Sequence, residues 1–493
     1  MATFIIGLVI LFGGAALYGT LCEKVFGPDD RATPAYAKQD GVDYVPMRCW
    51  KNSLINLLNI AGTGPILGPI QGILFGPIAF ITIPIGNIIG GAMHDYFCGM
   101  ICLRDGGTQM SEMIRKYTNK GIFTVYNIFV CVLLLLVGAV FVYTPGDIAA
   151  KQVFDFSGAA TDPKTWIIYG VIFLYYLIAT VFPIDAIIGR IYPIFGAILM
   201  FSAIGVFIGI FAHGYPLLNV WDSWTSEFFD YGAYFDASHF IPVFFVTVAC
   251  GILSGFHSTQ TAIISRTVKS EKEGRKVFYG AMVAEGVIAL IWAAAGVAFY
   301  NGTGGLLEAL GNGQSSVVYE ICFKLLGPVG AVIAMIGVIA CPISSADTAY
   351  RSARLTLADW FKIDQKLIKN RLILTIPLLA VGAVLTQVDV QVVWRYFSWS
   401  NQTLAMIALW SASVYLFRRK RIYWLTALPA TFMSAVSCTY ILMAKEGFQL
   451  STAIAYPMGI IFAAVCLGTF VFTCVMGKGK NADSPAVEEP YAV

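Results

Sequence analysis

Two long apolar stretches of this 493-residue chain are interrupted near their middles, and nothing else in the sequence limits its fold so tightly. The first runs from Asn52 to Phe75 and is broken by Gly62-Thr63-Gly64-Pro65. The second runs from Ile241 to Ile264 and is broken by Ser254-Gly255-Phe256-His257-Ser258. In hydrocarbon an unmade backbone hydrogen bond is expensive, so a helix is interrupted there only where protein or a water-lined cavity takes up the freed groups. Each interrupted stretch opens a block of five apolar segments, the pattern of a binding site at the middle of a transporter bundle.

Composition supports a membrane setting. The chain is 58% hydrophobic and 12% charged, against about 25% charged residues in a soluble domain. Thirteen apolar runs approach the spanning length of about 20 residues: 3–21, 52–75, 77–101, 122–143, 166–182, 188–212, 240–264, 277–300, 325–346, 372–387, 396–417, 422–443 and 453–476. With the N-terminus outside, 27 of the 32 lysines and arginines fall on one side and 5 on the other. That asymmetry is the positive-inside signature, and it predicts a multi-pass protein with its C-terminus in the cytoplasm. The first run has no basic residue before it and Lys24 after it, the reverse of a secretory signal, so it reads as a retained helix.

The expected fold is an all-α membrane protein of about 13 transmembrane helices with a LeuT-like inverted 5+5 repeat. Residues 1–51 form a helix and loop, 52–212 the first five-helix unit, 240–417 the second in opposite orientation, and 422–476 two further helices. The polar segment 477–493 reads as a disordered tail. A net charge of +3 is too small to suggest nucleic acid, and eleven scattered cysteines without a CxxC pair argue against disulfides or zinc.

The breaks nominate residues. Carbonyls freed at Gly62-Thr63-Gly64-Pro65 suit a cation, and the amides of the following half-helix suit an anion; Gly68-Pro69 extends the irregularity. Thr63, Gly64, Gly68, Ser254, Gly255, His257 and Ser258 are therefore candidate substrate contacts, with Gln260 as a further polar liner and Asn401 and Gln402 completing the set. The hydroxyls of Ser344 and Ser345 are candidate sodium ligands with backbone carbonyls around Ala61 and Gly64; small-residue helix packing is the plainer alternative. His257, Glu285 and Asp95 are candidate proton carriers, because ionisable groups inside a membrane face a cavity or a partner. His94 and Asp347 are buried ionisable groups of the same kind, and Arg395 is placed to gate the outer side or to anchor the interface. No Walker motif, HExxH or nucleophile elbow is present, so neither ATP coupling nor an enzyme is expected.

The stretches Ile60-Ala-Gly-Thr-Gly-Pro-Ile-Leu-Gly-Pro-Ile70, Gly90-Gly-Ala-Met-His-Asp95, Gly106-Gly-Thr-Gln-Met-Ser-Glu-Met-Ile114, Ser254-Gly-Phe-His-Ser258, Ser344-Ser345-Ala-Asp347 and Trp394 to Ala405 resemble the carbon-starvation protein family of bacterial inner-membrane transporters. His94 departs from the glutamine expected before that aspartate. The resemblance implies the fold of the amino-acid/polyamine/organocation group and cation-coupled uptake of pyruvate or short peptides. No cofactor is expected beyond a coupling H+ or Na+, and no partner beyond the substrate and the lipid bilayer. An uncoupled channel or facilitator and a nutrient-sensing receptor are the alternatives, and the sequence has no appended signalling domain to favour the latter.

Overall fold

The computed structural model describes residues 1–158, 162–182, 184–224, 234–235, 237–300, 302–311 and 313–477. Among them every regular element is helical. Leaving short surface helices unlabelled, the chain order is α1 (Ala2–Phe26), α2 (Cys49–Ala61), α3 (Gly64–Gly72), α4 (Ala79–Gly86), α5 (Met93–Arg104), α6 (Lys120–Ile148), α7 (Pro163–Val181), α8 (Ile184–Ala212), α9 (Phe240–Thr247), α10 (Ala249–Ile252), α11 (Gly255–Ile264), α12 (Gly280–Phe299), α13 (Gln314–Phe361), α14 (Ile368–Leu385), α15 (Val390–Arg418), α16 (Trp424–Met443) and α17 (Thr452–Phe470). The expected tail, 477–493, lies outside the described residues apart from Gly477.

Local chemistry places the helix ends. Asn119 accepts from the Ile122 amide, Asp162 from Lys164 and Asp389 from Gln391, each satisfying a donor that an N-terminus leaves bare. α13 is interrupted at Gly327 (φ 69°, ψ 179°), just before Pro328.

Nine helices among the described residues are long and apolar enough to cross a membrane, or ten if the bent pair α2–α3 counts as one span. The thirteen runs are all helical, but three lie outside that count for physical reasons. Run 77–101 is divided by a π-helical turn at Asn87–Ala92. Run 240–264 is cut into three pieces. Run 396–417 belongs to α15, whose stretch Ser398 to Thr403 includes Asn401 and Gln402 and lowers its hydropathy.

Burial sorts the helices into an inner and an outer set. In the most apolar window of Glu271–Phe299, 83% of residues are buried, against 17% in Thr452–Met476 and 22% in α1. α12 therefore lies at the centre, while α1 and α17 present side chains such as Leu17 and Ile460 outward.

Both interruptions are present. α2 and α3 meet at 51°. Gly62 sits at φ 28°, ψ −140°, a conformation closed to residues with a Cβ. The irregularity ends at Thr63; contrary to expectation, Gly68 and Pro69 lie within the α3 helix. In the second stretch Leu253 (φ −165°) and Ser254 (φ −138°) are extended, and His257 and Ser258 already belong to the first turn of α11.

The two broken stretches pack directly on one another. A Cβ built on Gly64 would lie 2.3 Å from Cys250 Sγ, and one on Gly68 would lie 2.9 Å from the Thr247 carbonyl oxygen. Gly64→Ala should therefore destabilise the detergent-solubilised protein by about 1–3 kcal/mol through overpacking. Adding Cys250→Gly should recover most of the lost melting temperature. Additive losses in a double-mutant cycle would reject this close approach.

Candidate functional site

At the first break α13 meets the last turn of α2: the Ser345 hydroxyl donates to Leu58 O at 2.9 Å. Ser344 turns back onto its own helix, donating to Cys341 O at 2.7 Å. The structure thus brings Ser345 to the break, at Leu58 rather than at Ala61 or Gly64.

α2 also carries a polar stripe that the breaks themselves do not mark. Asn52, Asn56, Asn59 and Thr63 share one face of α2 and its extension, spaced four, three and four residues apart. Asn52 donates to Thr267 O at 2.9 Å and accepts from the Thr267 hydroxyl at 2.8 Å. Asn56 donates to Val277 O at 2.9 Å. Both atoms of the Asn59 carboxamide, and the Thr63 hydroxyl, are buried without a hydrogen-bond partner. Unpartnered buried polar groups are expensive, so Asn59 and Thr63 are candidate contacts for water or a ligand. The signal was visible as carboxamides at helical spacing in an apolar run.

At the second break three carboxamides take up the freed backbone. Asn401 Oδ1 accepts from the Phe256 amide at 2.7 Å and from the Ser254 hydroxyl at 3.0 Å, serving as an N-cap supplied by another helix. Gln402 Nε2 donates to Phe245 O at 3.0 Å and Leu253 O at 2.9 Å. Asn87 Nδ2, from the π-turn, donates to Gly251 O and Met282 O, each at 3.0 Å. Asn401 and Gln402 are thus engaged with the broken backbone itself. Gly255 sits so close to α15 that a Cβ there would meet Asn401 O at 2.5 Å.

Next to this break four ionisable side chains form a line. His94 Nδ1 is 2.8 Å from Asp95 Oδ1, Asp95 Oδ2 is 3.2 Å from His257 Nδ1, and His257 Nε2 is 3.5 Å from Glu285 Oε2. All four side chains are completely buried. They join α5, α11 and α12. His257 Nε2 and both Glu285 carboxyl oxygens are without a hydrogen-bond partner, so imidazole and carboxyl face one another across 3.5 Å without a bond between them.

The other nominated residues are more local. Ser258 donates to Gly255 O at 2.7 Å, and Gln260 Nε2 to Thr259 Oγ1 at 2.9 Å, leaving Gln260 Oε1 unpartnered. Asp347 is buried, two residues beyond Ser345. Arg395 is 3.4 Å from Glu446, in the segment between α16 and α17. Phe141 covers both breaks: a Cβ on Gly62 would lie 2.6 Å from its ring, and its ring packs edge-on against Phe256 at 6.2 Å and Phe397 at 6.1 Å. At the arginine-rich end Asp43 reaches Arg351 at 3.5 Å. Burial pushes the Asp43 carboxyl up, but Arg351, Arg266, Arg354 and Arg371 outweigh it and hold the group below the usual carboxylate range. Among the described residues no group of three or more His, Cys, Asp or Glu side chains is arranged to hold a metal ion.

Known proteins resemble this chain. A membrane protein of Haemophilus influenzae of uncharacterised function is 39% identical over 358 residues, 64% of this chain and 95% of that protein. The peptide transporter CstA of Helicobacter pylori strain J99 is 26% identical over 324 residues, 53% of this chain and 46% of that one. The pyruvate/proton symporter BtsT of Escherichia coli K12 is 26% identical over 332 residues, 55% and 45% respectively. The chain thus spans about half the length of these two transporters. Among solved structures, the Eremococcus coleocola manganese transporter superposes with TM-score 0.57 at 14% identity, covering 89% of this chain and 98% of that one. A Na+-coupled sialic acid symporter superposes with TM-score 0.51 at 14% identity, covering 94% and 97%. At such identity the likeness is one of fold. The model of the carbon starvation protein CstA family matches residues 1–150, 144–302 and 293–440. The chain belongs to the carbon starvation protein family.

Proposed function

We propose that this protein is a secondary transporter that imports a small carboxylate-bearing nutrient, pyruvate or a short peptide, by symport with protons. The observation that carries this reading is the buried line His94–Asp95–His257–Glu285, running from α5 to α12 past the first turn of a broken helix. Its protonation is tied to the geometry of α11, because His257 lies on that half-helix. A shift of α11 would stretch the contacts to Asp95 and Glu285 and change where the proton rests. Names borne by relatives, peptide transporter and pyruvate/proton symporter, support the substrate class.

In this reading the substrate carboxylate meets the half-helix amides at Thr63 and Gly64 and at Gly255 and His257, and its polar groups meet Asn59 and Thr63. The helices arrange as an inverted repeat, 52–212 and 240–417, with one helix before and two after, and the two units rock about the breaks to alternate access. The arginine-rich end faces the cytoplasm. An uncoupled channel or a receptor would leave the buried ionisable line without a task.

A second reading is sodium coupling at Ser345. One observation favours it: the Ser345 hydroxyl and the Leu58 carbonyl, two oxygen ligands of the kind sodium takes, already meet at 2.9 Å.

Uptake of labelled pyruvate and of dipeptides into proteoliposomes, with proton and sodium gradients imposed separately, tests the proposal. Proton-driven accumulation abolished by a protonophore is expected. Accumulation that follows only the sodium gradient would move the coupling site to Ser345, and equilibration without accumulation would reject symport.

Two substitutions sharpen this. Glu285→Gln removes the titrating partner of His257 Nε2, so proton-driven accumulation should fall to the level of empty liposomes while substrate counterflow persists. Retained accumulation would remove Glu285 from the coupling path. Asn59→Leu should leave melting temperature unchanged, since its carboxamide has no partner to lose. Its KM should rise about tenfold, the loss of one hydrogen bond to a charged group. An unchanged KM would take Asn59 out of the substrate site.

A further inference from the structure

Two cavities lie along the seam between α1 and the start of α16, one of them reaching the second break at Leu253. The first, of about 240 Å³, is polar and sits at the arginine-rich end. Its walls include Asp29, Arg31, Arg104, Tyr415, Arg419 and Arg421. Arg104 is fixed at its base by two hydrogen bonds to Glu271, at 2.9 and 2.8 Å, and lies over the Phe26 ring at 4.0 Å. Arg31 is paired to Asp29 at 2.6 Å. Four guanidinium groups therefore face two carboxylates, leaving the pocket cationic. Arg421 is exposed and has no ion pair among the described residues. A Cβ on Gly27 would lie 3.1 Å from its guanidinium, which places it over the end of α1.

The second cavity, of about 540 Å³, is lined almost wholly by apolar groups, among them Tyr18, Ile89, Leu253, Ile422, Trp424 and Leu428. Ile89, Ile422, Trp424 and Leu428 are 43%, 55%, 40% and 60% exposed, so the cleft opens to the lipid side of the bundle. Arg421 and Ile422 are consecutive, and each lines one of the two cavities. On α1, Tyr18 of the apolar cleft lies eight residues before Phe26 of the arginine pocket, about 12 Å along a helix. A cationic recess thus stands at the membrane boundary directly above an apolar crevice.

We infer that this seam binds one anionic phospholipid of the cytoplasmic leaflet, its phosphate headgroup in the arginine pocket and an acyl chain in the cleft. The charge selects an anionic head, and the adjoining apolar cleft selects a molecule with a tail over a free anion. The orientation rests on the arginine-rich end being cytoplasmic, but the binding chemistry does not depend on the transport proposal. The tail lies against Leu253, the first extended residue of the second break, whose amide bonds to Ala249 O and whose carbonyl is held by the Gln402 side chain.

The test measures lipid binding to the full-length protein in detergent, by native mass spectrometry and melting temperature. Probes are phosphatidylglycerol, phosphatidylcholine with the same acyl chains, and inorganic phosphate. One phosphatidylglycerol should be retained and raise the melting temperature, while the other two should do neither. Arg421→Ala should weaken its binding about fivefold and Arg421→Glu more, with the lipid-free melting temperature unchanged. Leu428→Glu, on the exposed rim of the cleft, should weaken it as well. Equal effects of phosphatidylcholine would show a nonspecific lipid crevice, equal effects of phosphate would show a free-anion site, and full binding by Arg421→Glu would remove the arginine pocket; each overturns the inference.

Discussion

A carbonyl or amide stripped of its helical partner inside a membrane must find another group in the protein, because lipid offers none. The interior of this bundle is arranged around that demand. Phe245 O and Leu253 O turn to Gln402, Gly251 O turns to Asn87, and the Phe256 amide turns to Asn401, while Ser345 braces Leu58 O in the last turn before the other break. Each brace crosses between helices far apart in sequence, so each break is also a tie between elements. Carboxamides suit the task because a single Nδ2 or Nε2 can donate twice, as Asn87 and Gln402 both do.

The braces explain why four ionisable groups can be kept so close to a break. Asn401 caps α11 from outside, which fixes where its first turn begins and hence where His257 points. With α5 presenting Asp95 and α12 presenting Glu285, the imidazole is held between two carboxyls by packing. In the proton-symport proposal, a shift of α11 changes the contacts of His257 with both carboxyls. Phe141, seated on both breaks, closes the same region with an aromatic ring against a glycine that has no side chain to resist it.

Much of the framework was legible in the chain. The Gly62-Thr63-Gly64-Pro65 and Ser254 to Ser258 interruptions stand out because glycine and polar residues are conspicuous in apolar runs, and the structure breaks at both, though at Leu253–Ser254 the unwound part begins earlier and is shorter than the polar stretch. His257, Glu285 and Asp95 were nominated one by one as buried ionisable groups; that they form a line with His94 was not legible, since their contacts span 162 residues for His257–Asp95 alone. Asn401 and Gln402 were conspicuous as polar residues in a span, yet their attachment to the break depends on how α15 packs. Asn59 was missed because one carboxamide on an apolar helix reads as packing, although Asn52, Asn56 and Thr63 share its face.

What the sequence by itself determined is the set of apolar helices, the two places where they fail and the concentration of basic residues at one end. All three follow from local hydrophobicity, glycine and proline content and charge, which act within a turn or two of the residue concerned. Only the tertiary structure decided which side chain serves which broken backbone group, which ionisable groups lie together and where the lipid-facing seam lies. Those depend on crossings between helices, and a hydrogen bond over 287 residues of sequence, such as Ser345 to Leu58, exists only once packing has brought both ends within 3 Å.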